Sequence, residues 1–402
     1  MASILAVAAY FAPGVVRTIR REASLPSYDA FAHVSGASAV LGDGRILTIG
    51  SSMGNKTKNA ERYDPHGNAF SPCAQMEGMR RFHPHAALLS DGRVLVAGGS
   101  RDVGEAVLDI EIYDPAQDHW SVVGKLPAGT RVADLAPLPG GEALIATEEG
   151  ASSGLLRFTP VDGQFEACGH PSMAVNGSAR LTTLKNGQVL VTHLSYGGPR
   201  PGDSNAFLYD PKSRECAMLP PMAQGRQSHT ATLLEDGRVL VAGGADGEPS
   251  AEIFDPTRKV FLPAGPMSAP RSLHGAALLS DGRVLIYGGV PDTRMTNLPT
   301  PEQLMKMSPE EVHEALRKAK PERTSMNADA EVYDPAANRF NPVPDPPTPL
   351  QPDHDAFQKN LPDGRLLLMS IRGPICFNPA SNTWQFPSKA QAKGGAAGAQ
   401  PE

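Results

Sequence analysis

One unit of short strands and tight turns repeats along this chain, and it limits what the chain can fold into. Its clearest copy spans residues 228–267 and reads SHTATLLEDGRVLVAGGADGEPSAEIFDPTRKVFLPAGPM. The copy contains four runs of β-forming residues, at 229–234, 238–242, 251–254 and 259–262. An Asp-Gly pair, a double glycine and an Asp-Pro pair separate these runs and are typical of tight turns. A four-stranded sheet of this size cannot bury both of its faces alone, so it needs neighbours of the same kind.

The neighbours are present in the sequence as six further copies, which begin near residues 36, 85, 135, 181, 273 and 356. Each copy also carries an aromatic residue before a turn: Tyr63-Asp64-Pro65, Tyr113-Asp114-Pro115, Phe158-Thr159-Pro160, Tyr209-Asp210-Pro211, Phe254-Asp255-Pro256, Tyr333-Asp334-Pro335 and Phe377-Asn378-Pro379. A second aromatic residue follows in all copies but the fourth, where that place falls near Cys216. A period of about 45–50 residues is typical of propeller blades. Seven copies therefore predict a closed, all-β ring.

The double glycine after an apolar strand, the aromatic residue before Asp-Pro and the later aromatic residue resemble the Kelch repeat. This resemblance covers nearly the whole chain and implies a seven-bladed Kelch-type β-propeller of the kind found in the central domain of galactose oxidase. Propellers of this family include oxidases, isomerases, lyase-like enzymes and protein adaptors, so the resemblance does not fix a function. The copper-radical oxidases of the family use an adjacent Tyr-His pair, and this sequence contains no Tyr-His dipeptide. We therefore do not expect copper-radical chemistry.

The repeats predict a propeller over residues 34–389, preceded by closing strands at 1–33 and followed by a disordered tail at 390–402. Blade six breaks the period with an insertion at residues 295–325. Within it, Ser308, Pro309 and Glu311 are typical of a helix start, and an apolar stripe follows at helical spacing. Because the insertion follows the second strand of its blade, we expect a small helical lid over the face to which that strand leads.

Composition excludes several classes of function. The formal net charge is −6 and the pI is near 6.0, which gives no basic field for nucleic acid. No apolar run is long enough to cross a membrane. The four cysteines lie in different repeats without paired spacing, which favours free thiols and a cytoplasmic protein. No P-loop or nucleophile elbow is present, and we expect no cofactor.

Candidate site residues gather on one face of the predicted ring, where the chain enters each inner strand and leaves each second strand. Cationic and polar side chains at these places are the proposed substrate-binding residues: Arg81, His83, His85, Arg131, Asp134, Arg180, Tyr196, Arg226, Arg271, Arg294, His354 and Arg372. Several guanidinium groups close together repel one another unless an anion joins them. The pattern therefore predicts a small anionic or carbonyl-containing ligand in the central channel. The alternative is that these Arg and His side chains hydrogen-bond neighbouring blades.

Histidine suits proton transfer because its pKa lies near neutral pH. The leading hypothesis is thus an enzyme of isomerase, cyclase or lyase type that uses acid–base chemistry, with His229, His274 and Tyr287 as the catalytic residues. A second hypothesis is a non-enzymatic Kelch module that binds a protein or peptide partner on the same face. A third is a metal-dependent lyase, in which His83, His85, His229, His274 and His354 supply ligands for zinc or manganese.

Overall fold

The computed structural model describes residues 36–50, 60–76, 83–100, 105–148, 154–169, 179–192, 205–244, 248–289, 330–347, 350, 358–370 and 373–387. The predicted closing strands at 1–33, the helical insertion at 295–325 and the tail at 390–402 lie outside these ranges. No α-helix occurs within them.

The described residues form seven antiparallel sheets, each with four strands in chain order, and we number these blades along the chain. Blade 1 contains β1 (Ala37–Val40), β2 (Ile46–Ile49), β3 (Ala60–Asp64) and β4 (Ala69–Pro72). Blade 2 contains β5 (His85–Leu88), β6 (Val94–Ala97), β7 (Asp109–Asp114) and β8 (His119–Lys125). Blade 3 contains β9 (Arg131–Pro137), β10 (Ala143–Glu148), β11 (Gly154–Thr159) and β12 (Gln164–Ala167).

The remaining four blades follow the same order. Blade 4 contains β13 (Arg180–Thr183), β14 (Val189–Thr192), β15 (Ala206–Asp210) and β16 (Glu215–Met218). Blade 5 contains β17 (Thr230–Leu233), β18 (Val239–Ala242), β19 (Ala251–Asp255) and β20 (Val260–Pro263). Blade 6 contains β21 (Gly275–Leu278), β22 (Val284–Tyr287), β23 (Ala330–Asp334) and β24 (Arg339–Val343). Blade 7 contains β25 (Gln358–Asn360), β26 (Leu366–Ser370), β27 (Gly373–Asn378) and β28 (Thr383–Gln385).

Apolar cores between neighbouring blades close the ring. Six clusters join blades 1 to 7 in succession. A seventh joins the last blade to the first, where Leu367 and Cys376 pack with Ile46 and Tyr63. The fourth strand of blade 7 comes from its own repeat, so Trp384 occupies the outer place beside β27. The predicted all-β, seven-bladed propeller is confirmed.

The two aromatic residues of the repeat stack across the outer hairpin. Their ring centroids lie 4.8–5.0 Å apart in six blades, as in the Tyr113–Trp120 pair. In blade 4 the residue opposite Tyr209 is Cys216, as the degenerate fourth copy predicts. The turn itself is fixed by its carboxylate: in blade 2, Oδ1 of Asp114 accepts a hydrogen bond of 2.8 Å from the backbone N–H of Ala116.

The double glycine allows two loops to pack against the end of the second strand. Gly243 and Gly244 have φ angles of +68° and +69°, which suit glycine. A Cβ on Gly243 would lie 2.5 Å from the His274 ring of the next blade, and one on Gly244 would lie 2.4 Å from the carbonyl oxygen of Gln227 in its own blade. The glycines therefore hold together the loops that precede the inner strands of blades 5 and 6.

Candidate functional site

A cavity of about 610 Å³ opens at the centre of the ring and is lined by the inner strands of blades 2 to 7 and the loops around them. Its volume lies within the range of small-molecule sites. Four of its lining residues share one register position, opposite the fourth residue of the second strand. These residues, which we call the collar, are His85, Asp134, Arg180 and Thr230. Most of the charge around the cavity therefore comes from blades 2 to 4.

Asp134 is held in place by backbone groups of two blades. Its Oδ1 accepts a hydrogen bond of 2.8 Å from the N–H of Leu135, and its Oδ2 accepts one of 2.8 Å from the N–H of Leu181 in blade 4. A β-bulge in blade 3, where the pairing shifts between Ala146 and Thr147, re-aims this stretch of β9. Nδ1 of His85 lies 3.8 Å from Oδ1 of Asp134. The pair places an imidazole beside a fixed carboxylate at the cavity wall.

Arg180 brings a guanidinium group to the same wall. Its Nη1 donates a hydrogen bond of 2.7 Å to the carbonyl oxygen of Ala179. Its Nε is buried, and no acceptor among the described residues lies within hydrogen-bond distance of it. A buried N–H donor without a partner is costly, and Nε of Arg226, away from the cavity, is in the same state.

Three further charged or titratable residues line the cavity around the collar. Arg131 and Glu148 face each other as the first and last partners of the β9–β10 ladder. His83 precedes β5 and has a φ of 50°, which few residues other than glycine adopt. The structure thus brings together five of the predicted binding residues: His83, His85, Arg131, Asp134 and Arg180.

Arg226 and Arg271 do not line this cavity, which corrects the expectation that their side chains reach the ligand. Both side chains are fully buried within their own blades. Arg226 forms an ion pair of 2.8 Å with Glu252, and Arg271 forms one of 2.7 Å with Glu331. Nη1 of Arg226 also donates to the carbonyl oxygens of Gly243 and Ser250, at 2.9 Å and 3.0 Å. These arginines fasten the loop before the inner strand to the rest of the blade.

His229 and His274 are also fully buried, and neither lines the cavity. Nε2 of His229 lies 2.7 Å from Oγ1 of Thr192, and Nε2 of His274 lies 2.9 Å from Oγ1 of Thr230. Each contact crosses from one blade to the previous one, which is the structural alternative raised by the sequence.

Burial, with the nearby charge of Arg271, lowers the pKa of His274 to about 3. Burial and the charge of Arg180 hold the pKa of His229 well below its usual range. Both rings are therefore neutral near pH 7. The predicted proton transfer would need a different residue, because neither histidine lines the cavity.

Tyr287 belongs to the core. It is 1% exposed and packs in the cluster between blades 6 and 7. A Cβ on Gly275, its partner across the ladder, would lie 2.2 Å from Cζ of the Tyr287 ring. The ring therefore lies over the glycine and away from the cavity lining, contrary to its predicted catalytic role. Five other predicted binding residues lie outside the described residues: Arg81, Tyr196, Arg294, His354 and Arg372.

Within the described ranges, no group of three or more His, Cys, Asp or Glu side chains is arranged to hold a metal ion. Two of the histidines proposed as ligands, His229 and His274, direct Nε2 at threonine hydroxyl groups.

The part of the chain that the structure describes contains no helix that is long and apolar enough to span a membrane.

Comparisons with known proteins agree with this architecture. A model of the Kelch motif matches residues 81–127. Human Kelch-like protein 38 is 33% identical over 99 residues, which are 24% of this chain and 16% of that protein. Galactose oxidase of Gibberella zeae is 32% identical over 80 residues, 20% of this chain and 11% of that enzyme. The matched segments thus span only a small part of these relatives.

Among solved structures, a fungal alcohol oxidase of the AA5 family in complex with copper superposes with a TM-score of 0.60. The superposition covers 84% of this chain and 70% of that chain at 15% identity. An identity this low shows the shared fold alone. Seven four-stranded blades, the double glycine, the stacked aromatic residues and the motif match agree with one another. The chain is a seven-bladed β-propeller built from Kelch repeats.

Proposed function

We propose that the central cavity binds a small organic anion, with Arg180 as its principal anchor and Arg131 beside it. The observation that carries this proposal is the separation of the cationic side chains into two groups. Arg226 and Arg271 are buried against carboxylates, whereas Arg131 and Arg180 line an open cavity. A guanidinium group can hold a carboxylate with two parallel hydrogen bonds.

The two carboxylates of the cavity are held by groups other than Arg180. Both oxygens of Asp134 accept backbone N–H groups, and Glu148 lies opposite Arg131 in the ladder. Arg180 has no carboxylate partner among the described residues within the distance of an ion pair, since its one hydrogen bond there goes to a carbonyl oxygen. The acid–base chemistry proposed from the sequence then falls to His85, which lies beside Asp134 and lines the same cavity.

Replacing Arg180 with Gln should weaken binding of succinate or butyrate at least tenfold, because the charge-assisted hydrogen bonds are lost. The measurement is isothermal titration calorimetry of the intact protein at low and physiological salt. Arg180→Lys should recover part of the affinity, since the charge returns without the planar fork. The matched control is Arg258→Gln, which removes an exposed arginine from an outer turn. Equal affinity in the parent and in Arg180→Gln would contradict the proposal.

A protein or peptide partner is the second candidate function, and one residue favours it. Leu273 lies in the loop before the inner strand of blade 6, is 45% exposed and has a φ of 51°. A bulky apolar residue held in this conformation at the surface is unusual. Under this alternative, Leu273→Ser would weaken association with the partner in a pull-down assay while binding of small anions is unchanged.

A further inference from the structure

Below the collar, the wall of the cavity changes from charged to largely apolar. The inner strands contribute two further layers of lining side chains, one and three residues after the collar position. They contain six apolar residues that we call the apolar wall: Leu135, Leu181, Ala231, Leu233, Ala276 and Leu278. Three polar residues also line the cavity below the collar: Thr182 and Thr232, which lie two residues after the collar position, and Gln358. The cavity therefore has a charged mouth, and below it apolar side chains outnumber polar ones six to three.

The collar also differs between the two sides of the cavity, because its charged residues come from one side of the ring. Blades 2 to 4 supply His85, Asp134 and Arg180 at the collar, whereas blade 5 supplies Thr230 and blade 6 has Gly275 at that register. Side chains in a strand rise by about 3.3 Å per residue, so the collar and the lowest layer are separated by about 10 Å. An extended ligand can thus keep an anionic group at Arg180 while its body lies along blades 5 and 6.

At the register of the lowest layer, blades 1 and 2 carry apolar side chains that solvent reaches, whereas blades 4 and 7 carry Thr183 and Asn360. Leu88 in blade 2 and Val40 in blade 1 occupy the same register as Leu233 and Leu278, because each is opposite the first residue of its second strand. They are 39% and 37% exposed. An apolar chain in the channel would remove such surface from water, which favours binding.

We propose that the ligand of this cavity is an amphipathic organic anion, such as a medium-chain monocarboxylate, with its carboxylate at Arg180 and its chain along the apolar wall. This inference rests on the proposed function and adds the chemical class of the ligand. A sugar acid is disfavoured because each of its hydroxyl groups would need a hydrogen-bond partner. Below the collar, three polar side chains line the cavity, compared with the six apolar side chains of the apolar wall.

The test is calorimetric titration of the full chain with butyrate, hexanoate, octanoate and gluconate. Affinity should rise by up to about fourfold for each methylene added from butyrate to octanoate. Octanoate should bind at least tenfold more tightly than gluconate. Leu278→Asn should weaken octanoate binding about tenfold and change butyrate binding little, whereas Arg180→Gln should weaken both. Met218→Asn, which alters an exposed apolar residue of an outer strand, is the matched control and should change neither.

Each remaining outcome decides between the two proposals. Gluconate that binds as tightly as octanoate, with both depending on Arg180, would overturn the amphipathic class and leave the proposed function standing. Octanoate binding that does not depend on Arg180 would overturn both proposals, as would no binding of any carboxylate. If Leu278→Asn lowers the melting temperature too far for titration, Ala276→Asp supplies the second variant, and undiminished octanoate affinity in it overturns the inference.

Discussion

Replacing Arg271 with Met is expected to lower the free energy of unfolding by about 3–5 kcal/mol, because it leaves Glu331 as an uncompensated buried charge. Glu331 is 1% exposed, and its Oε1 lies 2.7 Å from Nη2 of Arg271. Its Oε2 accepts a hydrogen bond of 2.8 Å from the N–H of Ser268, so the carboxylate cannot turn to solvent without breaking a second contact. Urea denaturation followed by circular dichroism measures the change.

The double variant Arg271→Met with Glu331→Leu should recover much of this loss, because an apolar pair leaves no buried charge. Arg258→Met, on the exposed turn of blade 5, should change stability by less than about 0.5 kcal/mol. Carboxylate affinity of the folded Arg271→Met protein should equal that of the parent. An Arg271→Met protein that is as stable as the parent and has lost affinity would show that Arg271 binds the ligand.

Acidification from pH 7 to pH 5 is expected to destabilise the protein by roughly 2 kcal/mol through His274, and His229 adds a loss of the same sign. Burial lowers the pKa of His274 to about 3 and holds the pKa of His229 well below its usual range, while the unfolded chain has ordinary histidines near 6.5. Below pH 6.5 the unfolded state therefore binds protons that the folded state does not. The stabilisation from His274 is complete above pH 6.5 and is lost by about 1.4 kcal/mol for each pH unit below it, and the stabilisation from His229 is lost in the same direction.

Denaturation curves between pH 7.5 and pH 5 test this expectation. The protein carries aspartates with lowered pKa values, such as Asp43 beside Arg45 and Asp210 at the blade-4 turn, but they contribute only as pH falls towards and below about 4. The double variant His229→Gln with His274→Gln should be less stable at pH 7 and should show a much flatter dependence on pH. A parent protein whose free energy of unfolding is constant over this range would contradict the assignment of neutral buried histidines.

The architecture could be predicted from the sequence because the unit of four strands and their turns recurs seven times. The Asp-Gly turn, the double glycine and the stacked aromatic pair are local features whose residues lie close in sequence. The sequence also predicts that the fourth repeat lacks the second aromatic residue, and in the structure Cys216 lies opposite Tyr209 where other blades have an aromatic ring.

The sequence around each Arg and His could not show which of them are buried in the blades and which line the cavity. That distinction depends on partners distant in the chain. Arg226 and Glu252 are 26 residues apart, and Arg271 and Glu331 are 60 apart across the insertion. A signal was nevertheless present: the repeats with Arg at this loop also have Glu two residues before the aromatic-Asp-Pro turn. By contrast, the collar position differs in each of the six blades in which the structure describes it, with Ala37, His85, Asp134, Arg180, Thr230 and Gly275. In a repeat protein, residues that recur at one register serve the fold, and a register where every blade differs is where a unique site can form.

The most direct measurement is a crystal structure of the protein soaked with an ω-brominated octanoate, in which the anomalous signal of bromine locates the ligand. We expect bromine within the central channel beside Leu233 and Leu278, and a carboxylate within hydrogen-bond distance of the Arg180 guanidinium group. Bromine found only on the outer surface of the blades, or a carboxylate seated away from Arg180, would contradict it.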